Sequence, residues 1–273
     1  TLIMSKPLET VYRFGSYTAR GVAQDNDTPY AATVLCFHGW SDNADTYRPL
    51  MSALSGIRVI ALDLPDHGAC LARTTPSPAL FLPQIREFVH AALAHFCELG
   101  PVLAVGHSLG GRSLLAAVNS FNHSQLLGVL AVAPAPLHLR AWQRHLGREP
   151  YVLKNAIPLL NLVPPRLSNQ VWGRVYRQSC YYEPSRIHDE VFTHYLTYLR
   201  LAGHLESLRR IGGELDDSIA LDQVSTPTTI VWGEEDRFVP VQAVIRYREA
   251  LPEANISLLP FAGGWSCCSS LYP

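Results

Sequence analysis

The sequence contains few charged residues and no long hydrophobic run. Asp, Glu, Lys and Arg make up 16% of its 273 residues, where about 25% is usual, whereas 48% of the residues are hydrophobic. With 22 Lys and Arg against 23 Asp and Glu, the net charge of −1 excludes the basic surface of a dedicated nucleic-acid binder. No apolar stretch reaches the roughly 18–20 residues of a membrane span, and no basic segment followed by an apolar run opens the chain. We therefore expect a large apolar core in a soluble, cytoplasmic protein without a membrane span or a nucleic-acid partner.

The six cysteines form no metal or disulfide pattern. They stand at positions 36, 70, 97, 180, 267 and 268, without a Cys-x-x-Cys pair or a Cys/His cluster. Zinc sites and disulfide frameworks need such spacings. We therefore expect neither a metal nor a cofactor. Cys36 and Cys97 lie in apolar runs and should be ordinary buried thiols.

Short apolar runs rich in β-branched residues alternate with amphipathic segments of helical length. Five runs are flanked by Gly, Pro or polar turns, as buried strands are: 33–37, 58–63, 102–105, 128–133 and 228–232. Segments 82–99 and 109–121 have the apolar spacing of helices. Because parallel strands need crossover helices that cover both faces, the alternation predicts an α/β fold with a doubly wound, mainly parallel sheet.

The alternation is interrupted once, between residues 137 and 224. This interval has almost no strand signal but several helical runs, including a long one at about 185–211. The sequence predicts a helical cap at 137–224, inserted between a first part of the core at 1–136 and a second part at 225–273. An insertion at this point lies over the carboxyl edge of the sheet, where open α/β sheets bind ligands.

A Gly-x-Ser-x-Gly sequence follows the predicted strand at 102–105. In Gly106-His107-Ser108-Leu109-Gly110, a sharp strand-to-helix turn would hold the serine in a strained backbone conformation, and side chains at the two glycines would collide with neighbouring elements. Ser108 would stand at a helix N-terminus, whose N–H groups and dipole favour developing negative charge. The motif predicts Ser108 as a nucleophile, whereas the side chain of His107 should leave the turn in another direction.

A second motif, His38-Gly39-Trp40, ends the predicted strand at 33–37. Acyl transfer needs two preorganised donors for the tetrahedral oxyanion, and the backbone N–H groups of Leu109 and Trp40 are the candidates. The indole of Trp40 would form pocket wall. For His38, a hydrogen-bonded imidazole that braces the loop is favoured over a role in proton transfer.

The acidic loop after the predicted strand at 228–232 supplies a third candidate. Asp236 is the carboxylate best suited to orient a catalytic imidazole, and Glu234 and Glu235 should be solvated. No Asp or Glu follows the run at 128–133, so that position for the acid is empty.

Together with Asp63-Leu64-Pro65-Asp66-His67-Gly68, these motifs resemble the α/β-hydrolase superfamily, in particular its capped branch of serine esterases, monoacylglycerol-lipase-like enzymes and carbon–carbon bond hydrolases. The resemblance runs from about residue 11 to residue 265. It implies that Ser108 is the nucleophile and Asp236 the acid of a catalytic triad. It also implies that two amides form the oxyanion hole and that 137–224 caps the pocket. Serine at the turn argues against the haloalkane dehalogenase and epoxide hydrolase branches, which use Asp there.

The chain departs from the family's pattern near its C-terminal end. In the family the catalytic histidine follows the last strand in a segment like Ala-Gly-His-Trp, whereas the strand predicted at 256–260 is followed here by Ala262-Gly263-Gly264-Trp265. Gly264 occupies the histidine's position, and none of the eleven histidines lies beyond Asp236. Residues 266–273 have neither the charge nor the length of the family's final helix, so we expect this helix to be missing as well. We expect either a truncated or frame-shifted end or a real divergence; Asp66, where the family often has glycine, is a milder departure.

Two functions therefore remain open. The first is a serine hydrolase that cleaves a small carboxylic ester, lactone or thioester through an acyl-enzyme on Ser108, impaired because Gly264 replaces the histidine. The second is a catalytically silent relative that binds a small apolar ligand or acts as a scaffold. The sequence does not indicate an oligomeric state.

Overall fold

One eight-stranded sheet organises the protein. The computed structural model describes residues 7–24, 31–40, 42–54, 57–69, 81–137, 219–236 and 239–260, with positions 164, 167, 170 and 174. The strands are β1 (Leu8–Phe14), β2 (Tyr17–Gln24), β3 (Thr33–Phe37), β4 (Arg58–Leu62), β5 (Val102–His107), β6 (Leu126–Val132), β7 (Thr228–Gly233) and β8 (Asn255–Leu259). The α-helices are α1 (Arg48–Ala53), α2 (Phe81–Glu98), α3 (Leu109–Val118) and α4 (Val244–Ala250), with 3₁₀ turns at Ala44–Tyr47 and Val241–Ala243.

The strand order is β1-β2-β4-β3-β5-β6-β7-β8. Strands β4, β3, β5, β6, β7 and β8 run parallel to one another, whereas β2 is antiparallel to both β1 and β4. Each of the five apolar runs lies on one of the parallel strands, so the predicted mainly parallel α/β sheet is confirmed. The carboxyl ends of β3 to β7 meet at one edge of the sheet, which brings the loops that follow them together.

Alternating residues of the central strands contact opposite layers of helices. Leu35 and Phe37 of β3 belong to the large core beneath α2 and α3, whereas Val34 and Cys36 belong to a smaller core beneath α1. This is the period of two that a strand imposes on its side chains. Cys36 and Cys97 are buried free thiols, as predicted.

The antiparallel hairpin of β1 and β2 is absent from the sequence prediction. Its two-residue turn, Gly15-Ser16, joins Phe14 to its partner Tyr17, and Gly15 has a φ of 54°. Gly at the first central position of a two-residue turn is typical of a type II′ hairpin. The signal was present, but β1 is mostly exposed and lacks the apolar run by which the buried strands were recognised.

The predicted cap falls between β6 and β7, which are parallel neighbours although residues 133–227 separate them in the chain. Most of 137–224, including the helix predicted at 185–211, lies outside the described residues, and the cap stays a prediction. In the part of the chain that the structure does describe, no helix combines the length and the apolar character needed to cross a bilayer.

Candidate active site

Ser108 occupies a sharp turn between β5 and α3. Its φ of 49° and ψ of −114° are a conformation that L-residues rarely adopt. Its N–H donates to the carbonyl of Val132 at 3.0 Å, and its own carbonyl accepts from the N–H groups of Arg112 and Ala135, both at 2.9 Å. The side chain forms no capping hydrogen bond with the helix that it precedes. The backbone is thus fixed from both sides while the hydroxyl is left for other contacts.

The glycines around Ser108 have no room for a side chain. A Cβ at Gly106 would lie 2.6 Å from the Cα of Gly111, and one at Gly110 would collide with the carbonyl oxygen of Phe37. Real Cβ contacts are not this short, and backbone atoms cannot swing aside as side chains do. Close packing of α3 against the ends of β5 and β3 therefore requires both glycines.

Backbone strain is concentrated at this edge of the sheet. Three non-glycine residues of the described chain have a positive φ: Asp66 at 57°, Ser108 at 49° and Ala133 at 40°. They follow the parallel strands β4, β5 and β6 respectively, at the carboxyl edge of the sheet. Residues held in such conformations cost on the order of 1–3 kcal/mol each and cluster at functional sites. Asp66 thus adopts the left-handed conformation for which glycine is best suited.

His38 ties two loops together through both ring nitrogens. The N–H of Leu64 donates to its Nε2 at 2.9 Å, which leaves Nδ1 to carry the proton and donate to the carbonyl of Gly39 at 2.7 Å. The ring is fully buried. Proton transfer by His38 would break one of these bonds, so the geometry favours a bracing role.

The backbone amides of the two predicted oxyanion donors have no acceptor among the described residues. Neither the N–H of Trp40 nor that of Leu109 donates a hydrogen bond within the described residues. Leu109 directly follows the serine and begins α3. Trp40 follows Gly39, and a Cβ added to Gly39 would lie 3.3 Å from the Cβ of Ser108. Leu109 thus adjoins the serine in the chain and Trp40 follows a residue that packs against it, and their role as oxyanion donors stays a prediction.

His107 is an unsuitable base for Ser108. It is buried, and its Nδ1 would lie 2.9 Å from a Cβ at Gly39, which shows that the ring packs beneath the 38–40 loop. Burial lowers the pKa of His107 from 6.5 to about 4, so its imidazole is neutral and weakly basic at pH 7.

Asp236 lies in the loop that follows β7, at the same edge of the sheet. The carboxylate is 7% exposed, and its Oδ1 accepts from the N–H of Val239 at 2.8 Å. Val239 in turn accepts from the indole N–H of Trp232 at 3.0 Å. The loop is thus anchored to the buried end of β7, and the carboxylate is held in a fixed position. Gly264, the predicted position of the absent histidine, lies outside the described residues.

Sequence reasoning assigned no role to two buried carboxyl groups near the 38–40 loop. Burial raises the pKa of Asp42 to about 8, although hydrogen bonds from the Asn43 backbone and the Thr46 side chain lower this pKa. Burial also raises the pKa of Asp63 to about 6, although the charge of Arg20 opposes the shift. Asp63 directly follows β4. An acidic residue at the end of a predicted strand is the sequence signal that could have identified it.

An apolar groove of about 740 Å³ lies elsewhere, between α1 and the central strands. It is lined by Leu50 of α1, by Leu54 directly after α1 and by Val105 and Leu130 of the sheet, with Glu253 at its wall. None of the predicted site residues contributes to it, so it is separate from the environment of Ser108.

A mainly parallel sheet with a strained serine between strand and helix defines the class of α/β hydrolases. The family model of the alpha/beta hydrolase family matches residues 34–263, and the chain belongs to this family.

Curated relatives have hydrolase activities. A pimeloyl-[acyl-carrier protein] methyl ester esterase of Xylella fastidiosa (strain M23) is 27% identical over 244 residues, which cover 87% of this chain and 89% of the relative. A 2-hydroxy-6-oxononadienedioate/2-hydroxy-6-oxononatrienedioate hydrolase of Pseudomonas sp. is 31% identical over 261 residues, covering 85% and 81%.

The solved structures agree at the level of the fold. The 2-hydroxy-6-oxo-6-phenylhexa-2,4-dienoate hydrolase from Rhodococcus sp. strain RHA1 superposes with a TM-score of 0.69 at 16% sequence identity, covering 95% of this chain and 92% of its own.

Proposed function

We propose that this chain is a serine hydrolase of small carboxylic esters. Ser108 Oγ attacks the ester carbonyl, and the N–H groups of Leu109 and Trp40 bind the oxyanion of the tetrahedral intermediate. The intermediate collapses to an acyl-enzyme as the C–O bond breaks and the alcohol leaves with the serine proton. Water then attacks the acyl group and releases the carboxylic acid and free Ser108.

The observation that carries the proposal is the conformation of Ser108. Ser108 has a φ of 49°, and the amide that follows it at the start of α3 has no acceptor among the described residues. This conformation is maintained against backbone strain. A structural serine needs no such conformation. A serine at this turn, with the Leu109 N–H directly after it and Trp40 following a residue that packs against it, is suited to acyl transfer.

The proposed reaction is slow in this chain because Gly264 stands where the family has its histidine. Without a base, the Ser108 hydroxyl stays protonated at neutral pH and Asp236 has no imidazole to orient. In serine proteases, binding and the oxyanion hole alone retain roughly 10³–10⁴-fold catalysis over water. We propose residual activity of that order. The cap at 137–224 would cover the substrate and select its acyl chain.

A second candidate is a catalytically silent relative that binds a small apolar ligand or acts as a scaffold. It is favoured by one observation: none of the eleven histidines follows Asp236. In this case the strained turn at Ser108 is a feature of the family that no longer serves catalysis.

Hydrolysis of p-nitrophenyl butyrate separates the two candidates. We expect slow turnover that Ser108→Ala abolishes with its fold intact, because only Ser108 has the required turn. The matched control is Ser120→Ala, which removes an exposed hydroxyl just beyond α3 and should leave turnover unchanged. Equal turnover in wild type and Ser108→Ala would refute the nucleophile, and absence of turnover in every variant would favour the silent relative.

A further inference from the structure

A buried arginine on β2 gathers three carboxylates beside the 38–47 loop. Arg20 is 5% exposed; its Nη2 contacts Asp45 Oδ2 at 2.7 Å and Glu9 Oε1 at 2.9 Å, and its Nη1 lies 3.3 Å from Asp63 Oδ2. The side chain of Glu9 is 60% exposed, so water screens this pair. Asp45 and Asp63 are buried, and they are the partners that the guanidinium holds in place.

Asp63 joins the two loops that carry the site. Its Oδ1 accepts from the N–H of Ala44 at 2.7 Å, and its Oδ2 accepts from the N–H of Ala69 at 3.0 Å. The carboxylate is seated against Gly68, whose φ is 61° and where a Cβ would collide with Asp63 Oδ2. Together with the bond between His38 and Leu64, this gives residues 38–47 two fixed links to residues 63–69.

The position of the 38–47 loop decides where the N–H of Trp40 stands relative to Ser108. At Gly39 the loop packs against His107 and Ser108 without space for a Cβ, so a displacement changes this contact directly. An oxyanion donor must lie about 2.7–3.1 Å from its target. A misplacement of about 1 Å costs on the order of 10²-fold in rate.

We propose that Arg20 and Asp63 are positioning residues of the active site: the buried guanidinium fixes the Asp63 carboxylate, and that carboxylate holds the 38–47 loop so that the N–H of Trp40 faces the oxyanion. The inference rests on the proposed function for its effect on turnover. Buried ion pairs are weak contributors to net stability, because desolvation offsets their attraction. The arrangement is therefore explained better by positioning than by stabilisation.

The test is Asp63→Asn, which keeps the shape of the side chain but removes its charge. We expect kcat for p-nitrophenyl butyrate to fall 10- to 100-fold with KM within about twofold, because a displaced donor weakens binding of the transition state but not of the ester. The matched control is Glu9→Gln, which neutralises the exposed partner of the same Arg20 and should leave kcat within about twofold.

Amide hydrogen exchange supplies a readout that does not require turnover. The informative amides are those of Asp42, bonded to the Gly39 carbonyl, and Leu64, bonded to His38, since neither donates a hydrogen bond to the Asp63 carboxylate. In Asp63→Asn their exchange should accelerate at least about tenfold while the amides of β3 and β5 keep their protection. Normal exchange at Asp42 and Leu64 in the folded variant would overturn the proposal, whether or not the chain hydrolyses esters.

Two further results keep the two claims separate. If the wild type shows no turnover, the proposed function fails and the exchange experiment alone decides the positioning role. If Asp63→Asn does not fold, Arg20→Lys replaces it, because lysine keeps the charge but cannot contact Asp45 and Asp63 at once. A normal kcat and normal exchange in Arg20→Lys would overturn the proposal.

Discussion

Replacing Ser108 by glycine should stabilise the protein while abolishing its activity. A non-glycine residue at a φ of 49° and ψ of −114° costs about 1–3 kcal/mol, which glycine would not incur. Glycine also makes the unfolded chain more flexible, which removes about 0.5–1 kcal/mol of the gain. The free energy of unfolding should therefore rise by about 0.5–2 kcal/mol relative to Ser108→Ala, which lacks the hydroxyl but keeps the strain.

The assay is thermal unfolding of the two variants, followed by calorimetry. For a chain of this size, about 1 kcal/mol corresponds to a change in Tm of roughly 2–4 °C. The matched control is Ser113→Gly, at a buried serine with ordinary helical backbone in α3, and it should lower stability by about 0.5–1 kcal/mol. Equal Tm values for Ser108→Gly and Ser108→Ala would refute the claim that this turn is strained.

Three other predictions concern the base, a buried acid and the close contacts of the turn. Gly264→His should raise kcat for p-nitrophenyl butyrate at least about tenfold by supplying a base, whereas the neighbouring control Gly263→His should not; no gain at Gly264 would contradict its assignment. Folded Asp42 keeps its proton up to about pH 8, whereas the unfolded chain loses it near pH 4, so stability should fall as pH rises between these values. Asp42→Asn removes this loss. Between pH 4 and pH 8, the free energy of unfolding measured with urea should fall by up to about 5 kcal/mol more in the wild type than in Asp42→Asn, and equal changes in the two proteins would refute the raised pKa. Gly110→Ala should destabilise by about 3 kcal/mol or more in the same assay, against about 1 kcal/mol for the control Gly15→Ala, which has open space around it; equal losses would contradict the close contact.

The parts of the fold that were predictable from sequence are those with a local signal. The parallel strands β3 to β7 are apolar runs because most of their residues are buried, and such runs are recognisable without knowing their neighbours. Strand β1 has one exposed face and few apolar residues, so its pairing depends on the Gly15-Ser16 turn.

The candidate site divides in the same way. Ser108 and its two glycines form one continuous motif, whose strain and close packing follow from the sequence itself. Arg20 and Asp63 are 43 residues apart and meet because β2 pairs with β4. No periodicity relates such residues, because the contact is created by the order of strands in the sheet.

Reaction of the protein with a fluorophosphonate tests the central claim most directly. The phosphorus is attacked by an activated serine, and peptide mass spectrometry identifies the residue that carries the adduct. We expect a single, slowly formed adduct on Ser108 that is absent from Ser108→Ala. A folded protein whose Ser108 stays unmodified after prolonged exposure, or one that is modified at another residue instead, would contradict it.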